Sequence, residues 1–172
     1  MPHSASEQNT AEDLDTLAKA IGLIILQWGH SEQALDLLVA MLWQSFGGRG
    51  HAKRIPIMLE PKIKFLRTCI AHEALLAVEA EAADELFDRF EALSSLRHDL
   101  IHGAVASISP VDNSFVFAKL DVKDGFHHHR EVRIEAEDYP KIIDRLVALG
   151  RDANALNQRV FDIMKAHKPI IL

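Results

Sequence analysis

Between Ala11 and Phe46 the apolar residues Leu14, Leu17, Ile21, Ile24, Trp28, Leu35, Leu38 and Leu42 recur every three or four positions. This is the period of a helix with one buried seam, and a stretch of that length with Ser31 as its one interruption commits the chain to a largely helical fold. A second stripe, Ala18, Ile25, Val39 and Phe46, widens the apolar face beyond what one neighbouring helix covers. Packing on two sides is therefore expected, one side being a second subunit. Gly22 and Gly29 lie on one face of the same run and each costs about 1 kcal/mol of helix propensity against Ala. A close backbone approach accounts for them, and a kink is the alternative.

The helical period returns three times. After Gly47-Gly48-Arg49-Gly50, read as a flexible turn and not a phosphate loop because no Lys-Ser/Thr follows, a short helical piece is expected over 52–59. A second helix starts with Pro61 in its first turn and runs through Ile63, Leu66, Ile70 and Leu75, with Lys62, Lys64 and Arg67 as surface cations. A third spans Ala80 to His102, with Glu81, Asp84 and Glu85 early, where the helix dipole favours them. After Gly103 the pattern alternates over Val105–Ser109, Phe115–Val122 and roughly His129–Ile134, with turns at Asp112-Asn113 and Lys123-Asp124-Gly125. From Glu137 to about Lys165 it is helical again, with Pro140 in the first turn. The expected fold is mainly α, a four-helix bundle with a small antiparallel β-meander at about 103–136, inserted before the last helix. Residues 1–10 read as a disordered polar lead, and 11–172 as a single domain.

Composition narrows function. A net charge of −6 disfavours a strong sequence-blind binder of nucleic acid, whose affinity comes mainly from phosphate neutralisation. The single Cys69 forms no intrachain disulfide, lies among apolar helical neighbours, and suits a reducing cytoplasm. Met1 to Asp13 carries no apolar run, so no signal peptide is expected, and no stretch approaches the roughly 18 unbroken apolar residues of a membrane span.

The stretch with chemical content is Arg97-His98-Asp99-Leu100-Ile101-His102-Gly103. Leu86, Phe90, Leu93, Leu96, Leu100 and Ile101 form an apolar stripe with Arg97 near its middle, and His98 and His102, four apart, share a flank also lined by Glu91 and Ser94. An arginine head here can swing toward two imidazoles, groups that exchange protons near neutral pH. Gly103 then stops the helix.

Arg, a polar residue, three further positions, His and Gly at the end of a helix in a mostly helical domain resembles the HEPN superfamily and its Arg-x4-6-His signature. The resemblance implies a helical bundle that dimerises with both motifs facing each other, often acting as a metal-independent endoribonuclease. Other members of the family are binding or partner modules without cleavage. On that footing His102 transfers the proton, Arg97 holds the scissile phosphate, and His98 hydrogen-bonds the phosphate or orients a neighbour. Products are a 2′,3′-cyclic phosphate and a 5′-hydroxyl, with no cofactor and no metal. The implied partners are a second copy, RNA, and an antitoxin or other protein in a toxin or phage-defence setting. The alternative is a non-catalytic dimeric module that binds a protein, nucleotide or RNA in the same cleft. A structural role is also open, with Arg97 pairing Glu32 or Glu73.

Three other groups complete the reading. Arg67 to His72 repeats the Arg-x4-His spacing without the following Gly or the strands, and is read as a decoy. His127 and His129 share one face of a strand, but no nearby Cys or spaced carboxylate completes a metal site. Glu32, beside Trp28 and His30, is a supporting candidate on polarity alone.

Overall fold

The computed structural model describes residues 5–109 and 114–167. Its elements in chain order are α1 (Ala5–Ser45), α2 (Leu59–His72), α3 (Ala80–His102), β1 (Ala104–Ser109), β2 (Ser114–Lys123), β3 (Phe126–Ile134) and α4 (Asp138–His167), with 3-10 turns at Gly48–Gly50 and Ala74–Glu79. The fold is mainly helical, four α-helices with a three-stranded antiparallel sheet before the last, as the periodicity predicts. It divides into two compact units: one of residues 1–27 and 94–145, here the sheet unit, and one of residues 28–93 and 146–172, the bundle unit. No linker marks the division because α1, α3 and α4 each give residues to both units.

In the bundle unit, Leu35, Leu38 and Leu42 of α1, Ile63 and Leu66 of α2, Phe87 and Phe90 of α3, and Leu149, Leu156 and Val160 of α4 are buried. Each is worth roughly 1.5–3 kcal/mol of transfer free energy. Trp28 meets Phe90 edge-on at 5.9 Å between ring centroids. Small residues set one helix contact: a Cβ at Gly150 would lie 3.0 Å from Ser31 Oγ, and that buried hydroxyl donates to Leu146 O at 3.3 Å. Asn157 Nδ2 likewise donates to Ala34 O at 2.8 Å. The one polar position in the α1 seam is therefore a packing and hydrogen-bonding site.

Several expectations for this unit are corrected. Residues 52–58 form no helix, because Pro56 and Pro61 break the backbone pattern before α2 begins at Leu59. α2 ends at His72, and Leu75 sits on a 3-10 turn instead. Lys62, expected on the surface, is buried and held by Glu32 and Asp36. Gly48 is buried where a Cβ would come within 2.6 Å of Leu42 O and 2.8 Å of Phe65 Cζ, so the glycine turn is a close contact more than a flexible hinge. Cys69 is buried as expected, and desolvation pushes its thiol up to about 11, which leaves it protonated and inert.

In the sheet unit, Leu17, Ile24, Leu100, Phe115, Phe117, Ile134, Tyr139 and Ile142 are buried. The strand order is β1-β2-β3, with a bulge in β1 between Val105 and Ser107. Lys123 pairs with Phe126, so β2 and β3 are joined by the two residues Asp124 and Gly125, with φ of 53° and 79°. Positive φ at both positions fits the tight turn that matches strand twist. A turn this short starts β3 at Phe126, ahead of the expected His129, and places the three histidines inside the strand. The Asp112-Asn113 turn lies outside the described residues.

α1 departs from its expected seam in this unit. It is described from Ala5, within the stretch read as a polar lead, which from Ala5 onward contains neither Gly nor Pro. Leu14 and Ile25 are exposed, as are Leu23 and Leu26. No atom of the described residues comes within 4 Å of a Cβ built on Gly22 or, in the bundle unit, on Gly29, so no neighbouring backbone approaches either one. Among the described residues, no helix is long and apolar enough to cross a membrane.

Candidate functional site

The motif occupies the last turn and a half of α3, in the sheet unit. His98 and His102 are exposed and one helical turn apart, with ring centroids separated by 4.5 Å. Arg97 is half-buried on the adjoining face, and Ser94, one turn earlier, is also half-buried. Helix periodicity alone brings the two imidazoles together, as the sequence predicts.

The sequence reading missed what holds this turn in place. Asp99, between the two histidines in sequence, is buried and accepts a bidentate pair from Arg130, Nη1 to Oδ2 at 2.9 Å and Nη2 to Oδ1 at 2.6 Å. Lys119 Nζ donates to Asp99 Oδ1 at 3.0 Å, and Arg130 Nε reaches Asp121 Oδ2 at 2.9 Å. One carboxylate of α3 thus fastens the hairpin to the helix that carries the histidines. The observed two-residue turn at Asp124-Gly125, one residue shorter than the expected Lys123-Asp124-Gly125, places Lys119 opposite Arg130, two cations across one strand pair. A carboxylate was needed between them.

Charge follows geometry. Hydrogen bonds from Arg130 outweigh the cost of burial and hold the Asp99 carboxyl below the usual aspartate value, with Lys119 adding to the effect. The same contacts, Asp99 first, raise Arg130. His98 is held below the ordinary 6.5 by desolvation, then by the positive charges of Lys119, His102 and Arg97, which together exceed the opposing pull of Asp99. A neutral His98 accepts protons and hydrogen bonds at neutral pH.

Gly103 ends α3 for a different reason from the one expected. Its φ is not positive; a Cβ there would lie 2.6 Å from Asp99 O and 3.0 Å from Phe117 Cβ. Glycine lets β2 pass directly over the helix end, while Gly103 N donates back to Asp99 O at 2.9 Å.

The remaining candidates are engaged elsewhere. Glu32, in the bundle unit, accepts from Trp28 Nε1 at 2.9 Å and from Lys62 Nζ at 3.4 Å. Glu91 pairs with Arg67 Nη2 at 3.4 Å. Glu73 accepts from Leu75 N at the start of a 3-10 turn. Arg67 also meets Asp84 at 2.7 Å and Asp88 at 2.6 Å, and His72 Nδ1 lies 2.8 Å from Thr68 O, so the second Arg-x4-His match fastens α2 to α3. His127 and His129 pair across the hairpin with Val122 and Leu120. Among the described residues no group of three or more His, Cys, Asp or Glu side chains is placed to hold a metal ion.

In comparisons with known proteins, no family model, no curated protein and no solved structure matches this chain.

Proposed function

We propose that this chain is a metal-independent endoribonuclease of the HEPN type, with Arg97, His98 and His102 as its site. The observation that carries the reading is the exposed imidazole pair, 4.5 Å apart, beside Arg97 at the end of α3. In cleavage, the RNA 2′-hydroxyl loses its proton and attacks the adjacent phosphorus, and the 5′-oxygen leaves with a proton. His102 serves the proton transfer, His98 in its neutral form hydrogen-bonds the phosphate, and the Arg97 guanidinium offsets the charge that builds on the phosphoryl oxygens. The ends are a 2′,3′-cyclic phosphate and a 5′-hydroxyl.

A second copy completes the cleft in this reading, bringing a second motif opposite the first. The exposed Leu23 and Leu26 of α1, three residues apart on one side of the helix, support it, because large apolar side chains left in solvent suit a subunit interface. A toxin or phage-defence role, in the cytoplasm and with an antitoxin or other protein partner, follows from the resemblance alone. The alternative is a non-catalytic dimeric module that binds a partner protein, nucleotide or RNA. It is favoured by one observation: Lys119 and Arg130, the cations next to the motif, are already neutralised by Asp99 and Asp121.

Incubating wild type and His102→Ala with structured and unstructured RNA in excess chelator, then mapping the cut ends, separates the two readings. Cyclic phosphates from wild type alone support the nuclease. Equal silence from both, with RNA still retained by wild type, supports the binding module.

A further inference from the structure

The segment between the first two helices has properties that the motif does not use. From Phe46 to Leu59 the chain contains Arg49, His51, Lys53 and Arg54 and no Asp or Glu, although the whole chain carries a net charge of −6. Among the described residues, neither Lys53, Arg54 nor the nearby Lys64 forms an ion pair, whereas Lys62 and Arg67 on the same helix as Lys64 are fully engaged by carboxylates. Next to these cations stand three large apolar side chains held out to solvent: Ile57 is 76% exposed, Met58 71% and Ile55 44%. They border a groove of about 580 Å³ whose wall includes Pro56, Pro61 and Phe65. That volume is within the roughly 300–1,000 Å³ of ligand-sized clefts. Residues 52–57 make no backbone–backbone hydrogen bond with any described residue, so their peptide groups are open to a partner as well.

Large apolar side chains displayed together beside cations of one sign mark an interaction surface. We propose that the groove formed by residues 51–68 binds an acidic peptide segment of a partner protein. Apolar side chains of that segment enter the groove beside Ile55, Ile57 and Met58, and its carboxylates meet Lys53, Arg54 and Lys64. The chemistry disfavours RNA as the occupant, because single strands are held by open aromatic faces. Phe65 is buried with its ring 5.9 Å from Trp43, and the His51 ring is paired with His72 at 5.0 Å. A lipid surface fits less well than a peptide, since a bilayer receives protruding side chains and leaves a concave groove unfilled. The proposal is independent of the nuclease reading, as the groove belongs wholly to the bundle unit and the motif to the sheet unit.

The test uses the full chain on an array of seven-residue peptides with apolar residues at alternate positions and the others all acidic, all neutral or all basic. Retention on the acidic set is expected, weakening with salt. It should fall by about tenfold or more in Ile57→Ser/Met58→Ser and in Lys53→Glu/Arg54→Glu. All four side chains are exposed, so thermal unfolding should match wild type and exclude a folding defect. Equal retention on the basic set, retention unchanged in both variants, or no retention on any set overturns the proposal. Sedimentation with phosphatidylserine-containing vesicles in place of peptide retention also overturns it and assigns the surface to anionic lipid.

Discussion

Arg67 to His72 and Arg97 to His102 have the same spacing, and the structure gives them opposite surroundings. Arg67 is held by Asp84, Asp88 and Glu91, and His72 turns back onto its own helix at Thr68 O. In the second stretch the two imidazoles face each other in the open, and the acidic residue inside the motif, Asp99, turns away to hold the hairpin. A spacing therefore identifies a helix face and nothing more. What differs between the two stretches is the exposure of the imidazoles: His72 is turned onto its own helix at Thr68 O, whereas His98 and His102 stand side by side in solvent.

The largest effect expected from this contrast is on cleavage. Under the proposed nuclease reading, His102→Ala should lower the rate of RNA cleavage in chelator by about 10²- to 10⁴-fold, the usual worth of a positioned proton-transfer group, and His72→Ala should leave it at the wild-type value. Equal loss in both variants would mean that the comparison is wrong. Next in size, Asp99→Ala removes the buried carboxylate that Lys119 and Arg130 share and leaves them with the more exposed Asp121. Urea unfolding should show a loss of about 2–3 kcal/mol, less than for a fully buried pair because solvent screens this one.

The same residue sets an acid dependence with a definite sign. The folded state holds the Asp99 carboxyl below its ordinary value, so the folded protein binds fewer protons there than the unfolded chain. The stabilisation is fully present above the ordinary aspartate range, about 3.9, and is lost as pH falls through the lower folded value. Asp99→Asn should flatten that acid limb in thermal melts taken as a function of pH. Gly103→Ala should cost about 1–3 kcal/mol, since its Cβ would meet backbone and the Phe117 stem and neither can yield easily. The smallest effect is Arg67→Ala, about 1 kcal/mol by chemical denaturation, because its three carboxylate partners are exposed. A loss larger than that of Asp99→Ala would show that the decoy is the more important fastener of the two.

The parts of this fold that were legible in the sequence are those with a strong period. The third helix runs from Ala80 to His102 as expected, the switch to strands follows Gly103, and Pro61 and Pro140 stand in the first turns of their helices. The parts that were not legible depend on partners distant in sequence. Nothing local distinguishes buried Lys62 from exposed Lys64; the difference is made by Glu32 and Asp36 on another helix. Glu32 and Glu91 lie on plausible faces, yet Lys62 and Arg67 engage them. Asp99 is not marked out locally because its neighbours are histidines, and the turn expected at Lys123-Asp124-Gly125 does not set Lys119 opposite Arg130, as the observed two-residue turn does.

The contact between Ser31 and Leu146 has a consequence for how the chain is made. The hydroxyl and carbonyl are 115 residues apart, and Asn157 reaches Ala34 across 123. The β2–β3 hairpin closes through a two-residue turn as soon as it is synthesised, but the buried polar groups of α1 wait for almost the whole chain. The entropy of closing that loop grows only slowly with its length, so delay on the ribosome is the greater burden. Until α4 emerges, Ser31 and the Ala34 carbonyl of the first helix lack the partners they bury against, although α2 and α3 already meet other parts of that helix.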